Sequence, residues 1–132
     1  MDTPPNALTV AEVRHASKGM LQQQLYAVDT RPSDGLGPVL KSLEEHLNFQ
    51  MTLEREGILF AAGPIRNDDE TEWDGTGMVI IRAESRAAAI ATAQRDPMHR
   101  AGARNFTVRP WMVNEGTMTL RLDLSSKRLT LL

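Results

Sequence analysis

The chain has 132 residues, 41% hydrophobic and 24% charged, a length that suits one domain with a core of its own. With no cysteine, it excludes disulfides, iron–sulfur clusters, thiolate zinc sites and a cysteine nucleophile. Its 15 Lys and Arg against 17 Asp and Glu leave a net charge of −2, not the basic excess of a nucleic-acid binder. No run approaches the roughly 18 apolar residues of a membrane-spanning helix. The opening MDTPPNALTVAEV lacks the basic-then-apolar layout of an export signal, so a cytoplasmic protein with no membrane partner is expected.

Residues 1–7 hold two prolines and no periodicity, and read as a loose lead-in. Thr9 and Glu12 have the spacing of a capping box, which predicts a short helix from Val10 to about Lys18, stopped at Gly19. Leu21–Asp29 alternates and reads as the first strand. A Pro- and Gly-rich loop follows over 30–38. Pro38 suits the first turn of a helix that runs to Glu56, with Val39, Leu43, Leu47 and Met51 as its apolar stripe, Leu36, Leu40 and Leu53 widening it, and Gly57 as its stop. Ile58–Ala62 is a second strand, ended by Gly63-Pro64, and an acidic loop with Trp73 leads to a third at Gly77–Ala83. Ser85 caps an alanine-rich helix to about Arg95. Pro97 interrupts it, and one further turn covers Met98–Ala101. Asn105–Val113 is a fourth strand whose Pro110 favours an edge. Thr117–Leu124 and Lys127–Leu132 read as two more strands.

After the N-terminal helix the order is β-α-β-β-α-β, the split βαβ or ferredoxin-like α+β arrangement, with four antiparallel strands carrying two helices on one face. The expected division is an N-terminal extension over 1–20 and a single α+β domain over 21–132. Strands two and three place apolar residues at successive positions (Ile58, Leu59, Phe60; Met78, Val79, Ile80, Ile81), which predicts burial on both faces. Helices cover only one face, so a second copy in a two-fold homodimer is expected on the other. The strand at Thr117–Leu124 either crosses to that copy or extends the sheet.

Several segments resemble the YCII-related (YciI-like) family: the first strand ending in Asp29, LEEHLNFQMTLEREGILFAAGP (43–64), DGTG (74–77), AAAIATAQRDPMHRAG (87–102) and FTVRPWMVNEG (106–116). The resemblance implies a dimeric α+β barrel and a catalytic His–Asp pair falling on His46 and Asp96. It further implies kinship with muconolactone isomerases and with dehydrochlorinating enzymes of aromatic degradation.

Taken as residues, His46 sits at the border of the apolar stripe, where an imidazole either packs at the rim or exchanges a proton with a cleft. Asp96 either closes an ordinary Asp-Pro turn or orients His46 and stabilises its charged form. His99, three residues on, reads as a substrate donor, a second acid, a solvated helix-end histidine, or with His46 and Asp96 a loosely patterned metal site; no metal is expected. Arg109 and Trp111 alternate on one face of strand four and Tyr26 is placed to share a cavity with them, so the three suit a planar anion. A strand-end Arg paired with Glu115 and a Trp in a dimer interface suit the first two equally. Trp73 in the acidic loop reads as either a lid or an anchor, the acidic residues around it match no calcium loop, and there is no phosphate-binding glycine motif. Two readings follow: a small cofactor-free isomerase, lyase or hydrolase acting by proton transfer on a small cyclic or aromatic anion, or a non-catalytic ligand-binding or accessory module of the same fold.

Overall fold

A computed structural model describes residues 3–132. They fall into two compact units, one of Gln24–Met112 and one of the segments up to Gln23 and from Val113 onward.

The central unit holds β1 (Gln23–Pro32, which starts at the unit boundary), α2 (Leu36–Arg55), β2 (Leu59–Pro64), β3 (Gly77–Ile81), α3 (Arg86–Gln94), α4 (Pro97–Arg100) and most of β4 (Arg104–Val113). Its antiparallel sheet has the order β2-β3-β1-β4, the ferredoxin-like α+β fold that the element order predicts. Tyr26 pairs with Ile81 and Thr30 with Gly77 across β1 and β3, while Ala62 pairs with Val79 across β2 and β3. Pro110 lies on β4, an edge strand, the place where a residue without an N–H is tolerated.

The core follows from strand alternation. Tyr26 and Val28 of β1, Val79 and Ile81 of β3 and Val108 of β4 pack together with Ala89 and Ala93 of α3. The alanines let α3 sit close to the sheet. Ser85 caps it by accepting the Ala88 N–H. On β4 the other register, Arg109 and Trp111, is exposed, and so lies on the sheet face opposite α3.

Two expectations about burial are corrected. Of the stripe on α2 only Val39 and the flanking Leu53 are buried, and His46 and Gln50 are buried beside them. Leu47 and Met51 stand nearly half exposed, because the helix turns two polar groups inward toward Asp96. Strand β2 is not buried either: five of its six positions are exposed. It is an edge strand, and the space between it and α2 is a cleft rather than packed core. The loop predicted over 30–38 is also shorter, since β1 runs to Pro32 and α2 begins at Leu36.

In the second unit, α1 (Val10–Ala16) carries the predicted capping box: Thr9 Oγ1 accepts the Glu12 N–H, and the Glu12 carboxylate accepts the Thr9 N–H at 2.6 Å. Strands β5 (Leu120–Asp123) and β6 (Arg128–Leu131) pair only with each other, in a two-stranded sheet of their own, so they do not extend the main sheet. Leu120 faces Leu131 and Leu122 faces Leu129. All four therefore share one face, and all are more than half exposed.

Candidate functional site

Asp96 is where the site begins. Proline at 97 pushes it into extended geometry, φ −61° and ψ 127°, and it becomes the N-cap of α4. Its Oδ1 accepts the Met98 N–H at 2.9 Å. Its Oδ2 is left to accept from His46 Nδ1 at 2.7 Å and from Gln50 Nε2 at 3.3 Å. His46 and Gln50 are one helical turn apart on α2, so both reach the same oxygen. The turn and the pairing are thus two uses of one carboxylate. Asp96 is 3% exposed, His46 8% and Gln50 4%.

Burial pushes the Asp96 carboxyl up, but the hydrogen bond and charge of His46, with the Met98 N–H, outweigh it and hold the group below its ordinary value. It is therefore a carboxylate across the neutral range. A carboxylate only accepts, so Nδ1 of His46 carries a hydrogen and Nε2 of the neutral ring holds the free lone pair. Nε2 bonds no described residue and is not among the fully buried polar atoms. It reaches the adjoining cleft, which His46 helps to line.

That cleft has a volume of about 720 Å³, within the usual range for small-molecule sites. Leu43, Leu47 and Met51 of α2 form one wall, and Phe60 to Pro64 of β2 the other. Trp73 stands at the side, its indole N–H donated to the Thr76 carbonyl at 2.7 Å. The wall is largely apolar, and His46, Gln50 and Arg104 bring buried polar groups to it.

Arg104, the first residue of β4, is 5% exposed. Its Nε donates to the Gly75 carbonyl at 2.8 Å, and no carboxylate among the described residues lies within ion-pair distance of it. Gly75 makes this approach possible. It has φ +104°, and a Cβ there would stand 2.8 Å from Pro32 Cγ, a conformation and a space that suit glycine alone.

The residues singled out in the sequence are placed unevenly. His46 and Asp96 meet. His99 lies just behind them, but both its nitrogens are taken. Nδ1 donates to the Ala93 carbonyl at 2.6 Å, so Nε2 of the neutral ring accepts from Thr30 Oγ1 at 2.7 Å. Burial pushes His99 below its ordinary value, which favours that neutral form, and the ring packs on Phe106 at 4.3 Å. Tyr26 belongs to the core cluster. Arg109 and Trp111 do not line the cleft. Among the described residues no group of three His, Asp or Glu side chains could hold a metal ion.

Gln50 and Arg104 were not singled out in the sequence, although a signal existed for both. Gln50 follows His46 by four residues. Arg104 shares the inward register of Phe106 and Val108 once β4 is started one residue before Asn105, and an inward-facing arginine is rare without a task.

Known proteins bear on this geometry. No curated protein matches the chain. Among solved structures, 5-chloro-2-hydroxyhydroquinone dehydrochlorinase (TftG) from Burkholderia phenoliruptrix AC1100, in complex with 2,5-dihydroxybenzoquinone, has a similar fold. The TM-score is 0.53 at 19% identity, over 66% of this chain and 92% of that one, a likeness of fold. The model of the YCII-related domain matches residues 25–112, well over half of the sequence, and the chain belongs to that family.

Proposed function

We propose that the chain is a small cofactor-free enzyme of the isomerase or lyase type, in which His46 moves a proton on a small cyclic or aromatic anion. The observation that carries this is the 2.7 Å contact between His46 Nδ1 and a buried Asp96 carboxylate at the wall of an apolar cleft. Asp96 holds the ring in the tautomer that presents Nε2 and stabilises the imidazolium formed when Nε2 takes a proton. In an elimination, the electron pair of the broken C–H bond becomes the new π bond, and the leaving group departs with its own pair. In an isomerisation the proton returns from Nε2 to another carbon. Apolar walls favour both by limiting water around the base. The dehydrochlorinase with a similar fold supports the lyase form of this reading.

A homodimer belongs to the same proposal. Exposed Trp111 on β4 and, in the other unit, the leucine face of β5–β6 each offer apolar surface to a second copy. Sedimentation of the intact chain at micromolar concentration tests this; a strictly monomeric mass would refute it.

The test of the reaction is His46→Gln, assayed against a panel of halogenated hydroxyhydroquinones and small unsaturated lactones for halide release or absorbance change. Turnover by the native chain that falls at least a hundredfold in the variant supports the assignment. Turnover unchanged in a folded variant refutes it. So does ligand binding by both proteins with no turnover by either, which is the behaviour of a binding module.

A further inference from the structure

The guanidinium of Arg104 is almost wholly buried and faces no carboxylate partner among the described residues. Buried cations are ordinarily paired. The charges of Asp96 and Asp74 are felt by Arg104, but the oxygens of Asp96 are engaged by His46, Gln50 and the Met98 N–H. Asp74 accepts the Thr76 N–H instead. Of the nitrogens of Arg104, only Nε bonds the protein, to the Gly75 carbonyl. The two terminal nitrogens bond nothing described and are not fully buried. Since Arg104 lines the cleft, the cleft is the space open to them.

The engaged Nε also decides how an anion can dock. An arginine meets a carboxylate either side-on, through Nε and one terminal nitrogen, or end-on, through both terminal nitrogens. Here the side-on mode is closed by Gly75. The end-on fork remains, fixed in place by the Nε bond, and a fixed planar fork matches the two oxygens of a carboxylate. The surrounding wall is apolar, with Trp73, Phe60 and Met78, which suits an unsaturated ring attached to that carboxylate.

We propose that Arg104 is the anion seat of the cleft, and that the ligand is a ring or planar unsaturated acid whose carboxylate docks end-on to its two terminal nitrogens. This moves the anion site from Arg109 and Trp111 to the side of the cleft shared with His46. It rests on the reading above only for what happens after binding; the seat itself is a matter of affinity.

The probe is benzoate, with benzamide as its uncharged counterpart of the same shape, titrated into the native chain and followed by NMR. Benzoate should bind at least tenfold more tightly than benzamide and shift resonances of Arg104 and His46. Arg104→Met should abolish the preference. Arg104→Lys, which keeps a cation but loses the fork, should recover only part of it. Arg109→Met, outside the cleft, should leave the benzoate preference within about twofold, and turnover is read separately in His46→Gln, so that failure of the proton-transfer reading and failure of this one are distinguishable. Equal affinity for the two probes, no benzoate binding up to about 50 mM, or an undiminished preference in a folded Arg104→Met variant would each overturn the proposal. The native-chain comparison decides it even if that variant fails to fold.

Discussion

Replacing Asp96 by Asn isolates the electrostatic part of the His46 contact with little change of shape. Asparagine keeps an oxygen for the Met98 N–H but turns the other side into an amino group. That group would face two donors, His46 Nδ1 and Gln50 Nε2. Gln50 can answer by turning its amide, because its Oε1 is buried without a partner and would then accept the new N–H. His46 must move its hydrogen to Nε2, which removes the lone pair from the cleft. Two charge-assisted hydrogen bonds are lost, about 2 kcal/mol for the short His46 bond and less for the long Gln50 bond, and two neutral bonds of about 1 kcal/mol or less each are regained. The net cost at neutral pH is about 1–2 kcal/mol, a fall in Tm of roughly 3–8 °C for a chain of this size. The cost must also depend on pH. Asp96 has a folded-state pKa below the ordinary 3.8, so its contribution is complete above the unfolded value and disappears as pH falls through the folded one. Urea unfolding of both proteins from about pH 7 to about pH 2.5 should show a deficit that persists to about pH 4 and closes as pH falls further, through the folded value of Asp96. Any catalytic rate should drop by about three to four orders of magnitude, because the tautomer is wrong. A deficit still undiminished at about pH 2.5, or an unperturbed rate, would refute the arrangement; a deficit beyond about 4 kcal/mol would refute the compensating turn of Gln50.

Other substitutions test the frame around the pair. His99 is held below its ordinary 6.5 by burial, so the stability it contributes is present above about pH 6.5 and is lost as pH falls through its folded value. His99→Gln should flatten the decline in unfolding free energy between about pH 6.5 and pH 5, and an identical slope in the two proteins would contradict the buried neutral ring. Gly75→Ala forces a side chain onto φ +104° and against Pro32. It should cost on the order of 1–3 kcal/mol and loosen Arg104 by shifting the carbonyl that holds it. A calorimetric Tm equal to that of the native chain would show that the loop yields freely.

Much of the architecture was legible in the residues themselves. The Thr9–Glu12 box, the Ser85 cap, the Asp96-Pro97 break and the edge position of Pro110 are local matters. Each depends on neighbours a few residues away, and a chain carries that information in its own order. The resemblance added His46 and Asp96, fifty positions apart, which no local pattern joins.

Rotation and register were decided only in three dimensions. The apolar stripe on α2 pointed to Leu43, Leu47 and Met51 as core. Asp96 instead holds His46 and Gln50, so the helix settles with those two inward and the leucines at the cleft. One residue of strand length brought Arg104 onto the inward face of β4, while Arg109 and Trp111 lie on the opposite register. A sequence states which side chains a segment owns; which of them face a cavity depends on what the rest of the chain places across from it.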